Sequence, residues 1–230
     1  MGYHKEEFKT KDSFTEDHEW FRTGDLGNLD LSGFLTLSGR LKEIIITAGG
    51  KNVAPIPIED AIKEELSEVV SNVVIVGEKK KYLTCLITLR VTVDPATQQP
   101  TDILDPIVIR WAQKQGCPNV HTISDFVNGP HTQRLLYNIQ ATLDTVNSKS
   151  ESNVTKVQKF SILPQEFSVD GGELGPTLKL KRFFVYDKYA DAISTLYEEV
   201  SESTQIEEDS EPVSTVRQRV PRVRLNTIPA

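Results

Sequence analysis

The sequence of 230 residues predicts an α+β fold, in which a small, mostly antiparallel β-sheet is flanked by helices. Short β-branched runs lie between polar turns, which is typical of antiparallel strands. Apolar residues recur at helical spacing in other segments, which favours amphipathic helices. Two glycine-rich loops, at residues 48–52 and 170–176, separate these segments. Because hydrophobic residues make up 38% of the chain, it can bury a core.

Strands are predicted where apolar or β-branched runs end at turn residues. These runs are residues 34–37, 43–47, 71–76, 83–91 and 157–163. Residues 40–42 connect the first two runs. A polar turn at residues 78–81 joins the next two, so that pair predicts a hairpin.

Helices are predicted where the apolar residues follow a period of 3.6. These segments are residues 58–66, 103–115, 133–146 and 188–200. The first has a favourable start, because Pro57 suits an initial helical turn and the carboxylates of Glu59 and Asp60 suit its positive end.

Composition excludes several classes of function. The net charge of −7 argues against a nucleic-acid surface, which needs an excess of Lys and Arg. No apolar run approaches the ~20 residues of a membrane-spanning helix. The polar residues 1–11 are unlike a signal peptide. From residue 201 the chain is acidic and then arginine-rich with interspersed prolines, which predicts a disordered tail over residues 201–230.

The cysteines and histidines do not indicate a metal site. Cys85 and Cys117 form no C-x-x-C pair, and the four histidines are scattered singly. Cys85 lies in an apolar run and is predicted to be a small buried hydrophobe rather than a nucleophile. Unpaired cysteines favour a reducing compartment, so we expect a cytoplasmic protein.

Two local sequences in the first part of the chain could bind a nucleotide. In residues 22–26 (RTGDL), Asp25 in a tight glycine turn could accept hydrogen bonds from the vicinal hydroxyls of a ribose. The alternative is an ordinary turn in which Asp25 binds backbone amides. In residues 38–43 (SGRLKE), Arg40 could reach a sugar or phosphate, and Lys42 lies where a hinge could form. The alternative is a solvated basic turn.

The two glycine-rich loops offer two further candidates. Gly49 follows a strand, so a backbone or thin ligand could approach it closely; the loop lacks P-loop spacing. The alternative is a simple strand-to-helix turn. Lys179 lies on a glycine-flanked loop that could bring its charge to a carboxylate or phosphate. The alternative is a basic surface loop.

The order and spacing of these four sequences resemble the adenylate-forming enzymes, which include acyl-CoA synthetases, luciferases and peptide-synthetase adenylation domains. The sub-type resembles the bubblegum long-chain acyl-CoA synthetases over about residues 20–197. The resemblance is carried by residues 45–63 (IITAGGKNVAPIPIEDAIK), 71–89 (SNVVIVGEKKKYLTCLITL) and 171–182 (GGELGPTLKLKR). It implies that residues 1–39 are a remnant of the N-terminal AMP-binding domain and that residues 40–200 are the mobile C-terminal cap domain.

The resemblance also implies a role for each candidate residue. Lys179 resembles the catalytic lysine of adenylation, which stabilises negative charge on the carboxylate and the α-phosphate. Asp25 resembles the carboxylate that binds the ATP ribose, and Arg40 resembles the basic residue that supports the same nucleotide. Lys42 falls at the hinge position. Gly49 resembles the loop glycine beside the CoA pantetheine tunnel.

Some positions depart from the family pattern. Many relatives have Ser-Gly-Lys where this chain has Thr177, Leu178 and Lys179, and Lys181 is a rival for the catalytic role. Some relatives have a second lysine at the position of Ile46, so any contribution of that lysine to the thioester step is absent here.

The function implied by the resemblance is that of an ATP-dependent long-chain fatty acid–CoA ligase, which forms acyl-CoA, AMP and pyrophosphate. Its substrates are a fatty acid, ATP and CoA, with Mg²⁺. The family's phosphate loop and adenine-binding motif are missing from this sequence, so we expect a C-terminal fragment that is inactive alone and binds none of these ligands tightly. The alternative is a non-catalytic interaction module derived from the cap domain. Peripheral contact of the arginine-rich end with an anionic membrane ranks last.

Overall fold

Residues 2–150 and 152–198 are described by a computed structural model, in which short helices surround small sheets. The strands are β1 (Asp25–Leu29), β2 (Leu35–Arg40), β3 (Ile45–Ile46), β4 (Asn52–Val53), β5 (Val70–Val76), β6 (Leu83–Leu89), β7 (Val91–Val93), β8 (Pro100–Leu104) and β9 (Val157–Ile162). The helices are α1 (Glu7–Asp12), α2 (Pro55–Glu65), α3 (Pro106–Lys114), α4 (Ile123–Asn128), α5 (Thr132–Ser148), α6 (Arg182–Lys188) and α7 (Ala190–Tyr197). The predicted α+β class is confirmed.

The central sheet has the strand order β5-β6-β9. The predicted hairpin is present, because β5 and β6 pair antiparallel with Ile75 opposite Cys85. Strand β9 pairs parallel to β6, with Cys85 opposite Phe160. All seven residues of β6 are buried, as expected of a central strand covered on both faces. The other strand pairs of the described chain, β1–β2, β3–β4 and β7–β8, are antiparallel.

Two hydrophobic clusters cover the two faces of this sheet. Because side chains alternate along a strand, Ile75 faces one cluster and Val74 faces the other. The larger cluster packs residues of α2, α3 and α5 against the sheet, including Ile62 and Leu143. The smaller cluster packs α6 and α7 against the opposite face, including Val185. The central sheet is therefore covered on both faces.

Several predicted boundaries were wrong for identifiable physical reasons. Residues 103–104 belong to β8, and helix α3 begins only at Pro106. The Asp105 side chain caps this helix, because it accepts a 2.8 Å hydrogen bond from the backbone N–H of Ile107, and proline suits the first helical position. In the predicted strand 43–47 only Ile45–Ile46 is extended, since Leu41–Glu43 forms a 3₁₀ turn.

The predicted helix 188–200 is also corrected. Helix α6 ends at Lys188, α7 covers Ala190–Tyr197, and residue 198 is not helical. The rest of that helix and the predicted tail 201–230 lie outside the described residues.

The sequence patterns also missed several small elements. Helix α4 is capped by Thr122 and Asp125, each of which hydrogen-bonds the backbone of the other. Helix α1, most of helix α6, strand β4 and the β7–β8 hairpin were also not predicted. Cys85 is fully buried, so its prediction as a small hydrophobe is confirmed, and burial raises the pKa of its thiol. No helix in the described part of the chain has both the length and the apolarity that a bilayer crossing requires.

Candidate nucleotide cleft

An open cleft of about 610 Å³ lies between the β1–β2 hairpin, helix α2 and the second glycine-rich loop. Three of the predicted site residues, Asp25, Arg40 and Lys179, line this cleft together. Its other lining residues are Leu37, Gly39, Glu43, Ile56, Glu59, Asp60, Lys63, Asn72, Val73, Leu180 and Arg182. Lys42 and Gly49 do not line it. The fold thus brings together side chains from distant parts of the sequence, since Lys179 lies far along the chain from Asp25 and Arg40.

Asp25 and Arg40 are held together by strand pairing. They are directly opposite in the β1–β2 register, and Arg40 Nε lies 3.6 Å from Asp25 Oδ1. The backbone N–H of Asp25 donates to Thr23 Oγ1, while within the described chain its carboxylate accepts no backbone amide. The alternative of a turn capped by the Asp25 carboxylate is therefore not observed. Both side chains remain exposed enough to contact a ligand.

The loop that carries Lys179 is a tight, hydrogen-bonded turn. Leu174 and Leu180 form an isolated β-bridge, and the backbone N–H of Gly175 donates to the carbonyl of Lys179 at 2.8 Å. The N–H of Lys181 donates to the carbonyl of Glu173 at 2.8 Å, which closes the base of the loop. The loop therefore presents Lys179 at the cleft from a defined backbone, with its side chain exposed.

One residue of this loop is in an unfavourable conformation. Leu178 has φ of +59°, in the left-handed region that glycine adopts at no steric cost. Its side chain is 70% exposed, so burial offsets little of this cost. The resemblance implies glycine at this position in many relatives, and Leu178 is a source of local strain in this chain.

Leu178→Gly is expected to raise the free energy of unfolding by about 0.5–1 kcal/mol, because the relieved left-handed cost exceeds the added chain entropy of glycine. Leu178→Ala is the matched control, since it removes the exposed side chain but keeps the Cβ and should bring no gain. Urea denaturation of the full chain measures both. Equal stability of the two variants would show that the backbone is not strained.

Beneath the cleft lies a buried ion pair between Glu59 and Arg182. Arg182 donates from Nη1 to Glu59 Oε1 at 2.5 Å and from Nη2 to Oε2 at 2.9 Å. The backbone N–H of Ile75 also donates to Glu59 Oε1, at 2.7 Å. Burial lowers the pKa of Arg182, but the hydrogen bonds and charge of Glu59 outweigh it and the net shift is upward. The pair joins α2, β5 and α6 at one point.

A second buried carboxylate fixes the other end of the loop. Glu173 is fully buried and accepts from Lys188 Nζ at 2.5 Å and from the Tyr189 hydroxyl at 2.9 Å. Burial raises the pKa of Glu173, but these hydrogen bonds lower it further, so the net shift is downward. Gly171 makes room for this carboxylate, since a Cβ there would lie 2.2 Å from Glu173 Oε2.

The first glycine-rich loop has an open surface. Its backbone is fixed because Thr47 N–H donates to the Lys51 carbonyl and Ala48 N–H donates to the Lys80 carbonyl, each at 3.0 Å. A Cβ at Gly49 would meet no atom of the described chain within 4 Å. Lys42 lies in the 3₁₀ turn between β2 and β3. The roles predicted for Gly49 and Lys42 therefore stay predictions.

The sequence patterns missed the burial of three charged residues of the described chain, Glu59, Glu173 and Arg182. Arg182 belongs to a basic run that suggested a surface loop, yet its side chain is only 5% exposed. A signal for Glu59 was present, because it precedes Ile62 and Leu66 by three and seven residues and so shares their apolar helix face. A charge on such a face requires a partner. Across the described residues, no group of three or more His, Cys, Asp or Glu is placed to hold a metal ion.

Comparison with known proteins identifies the relatives of this chain. Residues 42–116 match the family described as the AMP-binding enzyme C-terminal domain. The long-chain-fatty-acid–CoA ligase ACSBG2 of Xenopus laevis is 44% identical over 205 residues, which cover 89% of this chain and 27% of that ligase. ACSBG1 of Mus musculus is 43% identical over 199 residues, covering 86% and 27%. The chain thus spans 27% of the length of these curated relatives.

Solved structures show the same fold. The adenylation domain of a carboxylate reductase from Mycobacterium chelonae has a TM-score of 0.61 at 22% identity, over 85% of this chain and 26% of that one. The corresponding domain from Segniliparus rugosus, solved with AMP and a co-purified carboxylic acid, has a TM-score of 0.61 at 18% identity, with the same coverage. The chain therefore contains an AMP-binding enzyme C-terminal domain and is homologous to the C-terminal portion of the bubblegum-type long-chain acyl-CoA synthetases.

Proposed function

We propose that this chain supplies the mobile cap of an ATP-dependent long-chain fatty acid–CoA ligase, which forms acyl-CoA, AMP and pyrophosphate. The observation that supports this most directly is the cleft shared by Asp25, Arg40 and Lys179. Its groups suit a nucleotide, because a carboxylate accepts hydrogen bonds from ribose hydroxyls and cationic groups attract phosphate. In this proposal Lys179 stabilises the negative charge that develops between the fatty acid carboxylate and the α-phosphate.

The proposed domain organisation assigns residues 1–39 to the edge of a larger N-terminal domain and residues 40–200 to the cap. The β1–β2 hairpin supports this assignment, since a two-stranded hairpin with exposed apolar side chains is marginal in water by itself. Its exposed apolar residues are Leu29, Leu31, Phe34, Leu35 and Leu37, at 65% to 110% relative exposure. We propose that the rest of the ligase covers them.

In the same proposal the cap turns about Lys42 between the two half-reactions. That rotation would exchange the Lys179 loop for the Gly49 loop at the reaction centre, and Gly49 would then border the channel for CoA. The open surface at Gly49 supports this, because a backbone without a Cβ lets a thin ligand approach. Mg²⁺ would bind with ATP to the remainder of the ligase. Buried, unpaired Cys85 and Cys117 fit a cytoplasmic location.

A complementation assay tests this function. Mouse ACSBG1 lacking the segment that this chain matches is mixed with the full chain, and acyl-CoA is measured with a long-chain fatty acid, ATP, Mg²⁺ and CoA. The chain is expected to restore turnover, and Lys179→Ala is expected to reduce that restored turnover by about 10²–10³-fold, as for loss of one preorganised charge donor. The chain alone should give no ATP–pyrophosphate exchange.

Lys181→Ala is the matched control, because Lys181 is two residues away, is exposed and does not line the cleft. It should leave restored turnover nearly unchanged. A larger loss with Lys181→Ala than with Lys179→Ala would move the catalytic role to Lys181. Clear exchange activity of the chain alone would contradict the fragment interpretation.

The exposed hairpin also favours a second function, that of a non-catalytic interaction module. Binding of the chain to the truncated ligase without any recovery of turnover would support this function over the first. Substitution of Phe34 and Leu35 by serine should then abolish the binding, since both side chains are exposed and apolar.

A further inference from the structure

One buried donor of Arg182 has no hydrogen-bond partner. Two nitrogens of its guanidinium bind the Glu59 carboxylate, but Nε is buried and donates to no acceptor in the described chain. Buried donors without a partner are rare in folded proteins and require an explanation. This N–H is therefore free to bind a further acceptor.

A carboxylate close to this N–H is on the turn that contains Lys42. Glu43 Oε2 lies 3.9 Å from Arg182 Nε, and Glu43 is the last residue of the 3₁₀ turn Leu41–Glu43. This separation is within ion-pair range but beyond the ~3.2 Å limit of a good N–H···O hydrogen bond. The Glu43 side chain is 25% exposed, so it has room to move. A shift of about 1 Å in the turn would complete the hydrogen bond.

Arg182 is also linked to the loop that carries Lys179. It follows Lys179 by three residues and begins α6, and the backbone N–H of Lys181 closes the loop on the Glu173 carbonyl. The far side of the loop is fixed by the buried Glu173 carboxylate. A contact made or lost at Arg182 Nε therefore acts on the residue that directly follows the closed base of the loop.

We propose that Glu43 and Arg182 form a latch that couples the turn at Lys42 to the loop that carries Lys179. Glu59 holds the guanidinium throughout, while Glu43 binds Nε in one orientation of the turn and leaves it in the other. Glu43 is therefore a positioning residue for Lys179. The role of this coupling in catalysis rests on the proposed ligase function, but the coupling itself does not.

Hydrogen–deuterium exchange of the full chain tests the latch without any nucleotide. Glu43→Ala is expected to speed exchange at the loop amides of Gly175, Leu178 and Lys181 by about fivefold, the upper range for a partly exposed ion pair. Amides of β5 and β6 should keep their wild-type rates. Glu43→Gln retains an acceptor oxygen and should restore rates close to wild type.

Asp60→Ala is the matched control, because Asp60 lines the same cleft, is exposed and makes no ion pair with Arg182. It should leave loop exchange unchanged. Arg182→Lys removes the guanidinium Nε, so adding Glu43→Ala to this variant should not speed loop exchange further. If Arg182→Lys does not fold, the comparison of Glu43→Ala with Glu43→Gln decides the test. Unchanged loop exchange in Glu43→Ala, or equal acceleration in β6, would overturn the latch. Neither result bears on ligase complementation, which is measured separately.

Discussion

Arg182→Leu is expected to lower the free energy of unfolding by roughly 3–5 kcal/mol, because it leaves the Glu59 carboxylate buried without its cation. Glu59 would keep only the hydrogen bond from Ile75 N–H. Total stabilities of domains are typically about 5–15 kcal/mol, so this one change removes a large share. Urea denaturation followed by circular dichroism gives the value directly.

A double-mutant cycle separates the pair from its surroundings. Glu59→Leu with Arg182→Leu should cost clearly less than either single change, since two apolar side chains replace two compensated charges. A residual cost of about 1–3 kcal/mol is expected, because Ile75 N–H loses its acceptor. Glu65→Gln is the control, because it breaks an exposed pair with Lys149 and should change the stability far less than the loss of the buried pair. Additive single effects would show that Glu59 and Arg182 do not act as a pair.

Glu173→Gln is expected to cost roughly 1–3 kcal/mol at pH 7, because Lys188 and Tyr189 lose a buried charged acceptor. The loss should decrease at low pH. The pKa of Glu173 is below its ordinary value of 4.5 in the folded chain, so the stabilisation is complete above that value and is lost as pH falls through the folded pKa.

Urea titrations at pH 7, 5 and 3.5 measure this dependence. The wild type and Glu173→Gln should approach each other in stability as the pH falls below 4.5. Asp125, whose pKa is also lowered through hydrogen bonds from His121 and Thr122, is common to both variants and cancels in the difference. A stability difference that stays constant from pH 7 to pH 3.5 would contradict a charged, buried Glu173.

The strong periodic segments of the fold were predictable from the sequence. The β5–β6 hairpin and helices α2 and α5 follow from β-branched runs and apolar stripes, which tertiary packing reinforces. The ends of the elements were harder to predict, because one capping residue can decide where a helix begins. Asp105 and Pro106 start helix α3, whereas apolar spacing alone extends the predicted helix back to residue 103. The parallel pairing of β9 was not predictable, since no local pattern selects a partner so distant in sequence.

Some residues of the candidate site were predicted from the sequence and others were not. Asp25, Arg40 and Lys179 were predicted because the order of their short motifs resembles the adenylate-forming enzymes. The fold places all three around one cleft, and their roles stay predictions. Arg182 and Glu173 were not identified, since a buried charge is recognised only by the partner that folding brings to it. Leu178 was noted as a departure in sequence, but its cost became visible only with its backbone angle.

The parallel pairing of β9 with β6 has a consequence for biosynthesis. A ribosome releases β5 and β6 well before β9, because the whole segment between Leu89 and Val157 must be translated first. Until then the β9-facing edge of β6, a strand whose residues are all buried in the folded chain, has unpaired backbone groups that can pair with other chains. Premature termination upstream of Val157 should therefore yield insoluble or chaperone-bound polypeptide, whereas termination after residue 198 leaves that edge covered.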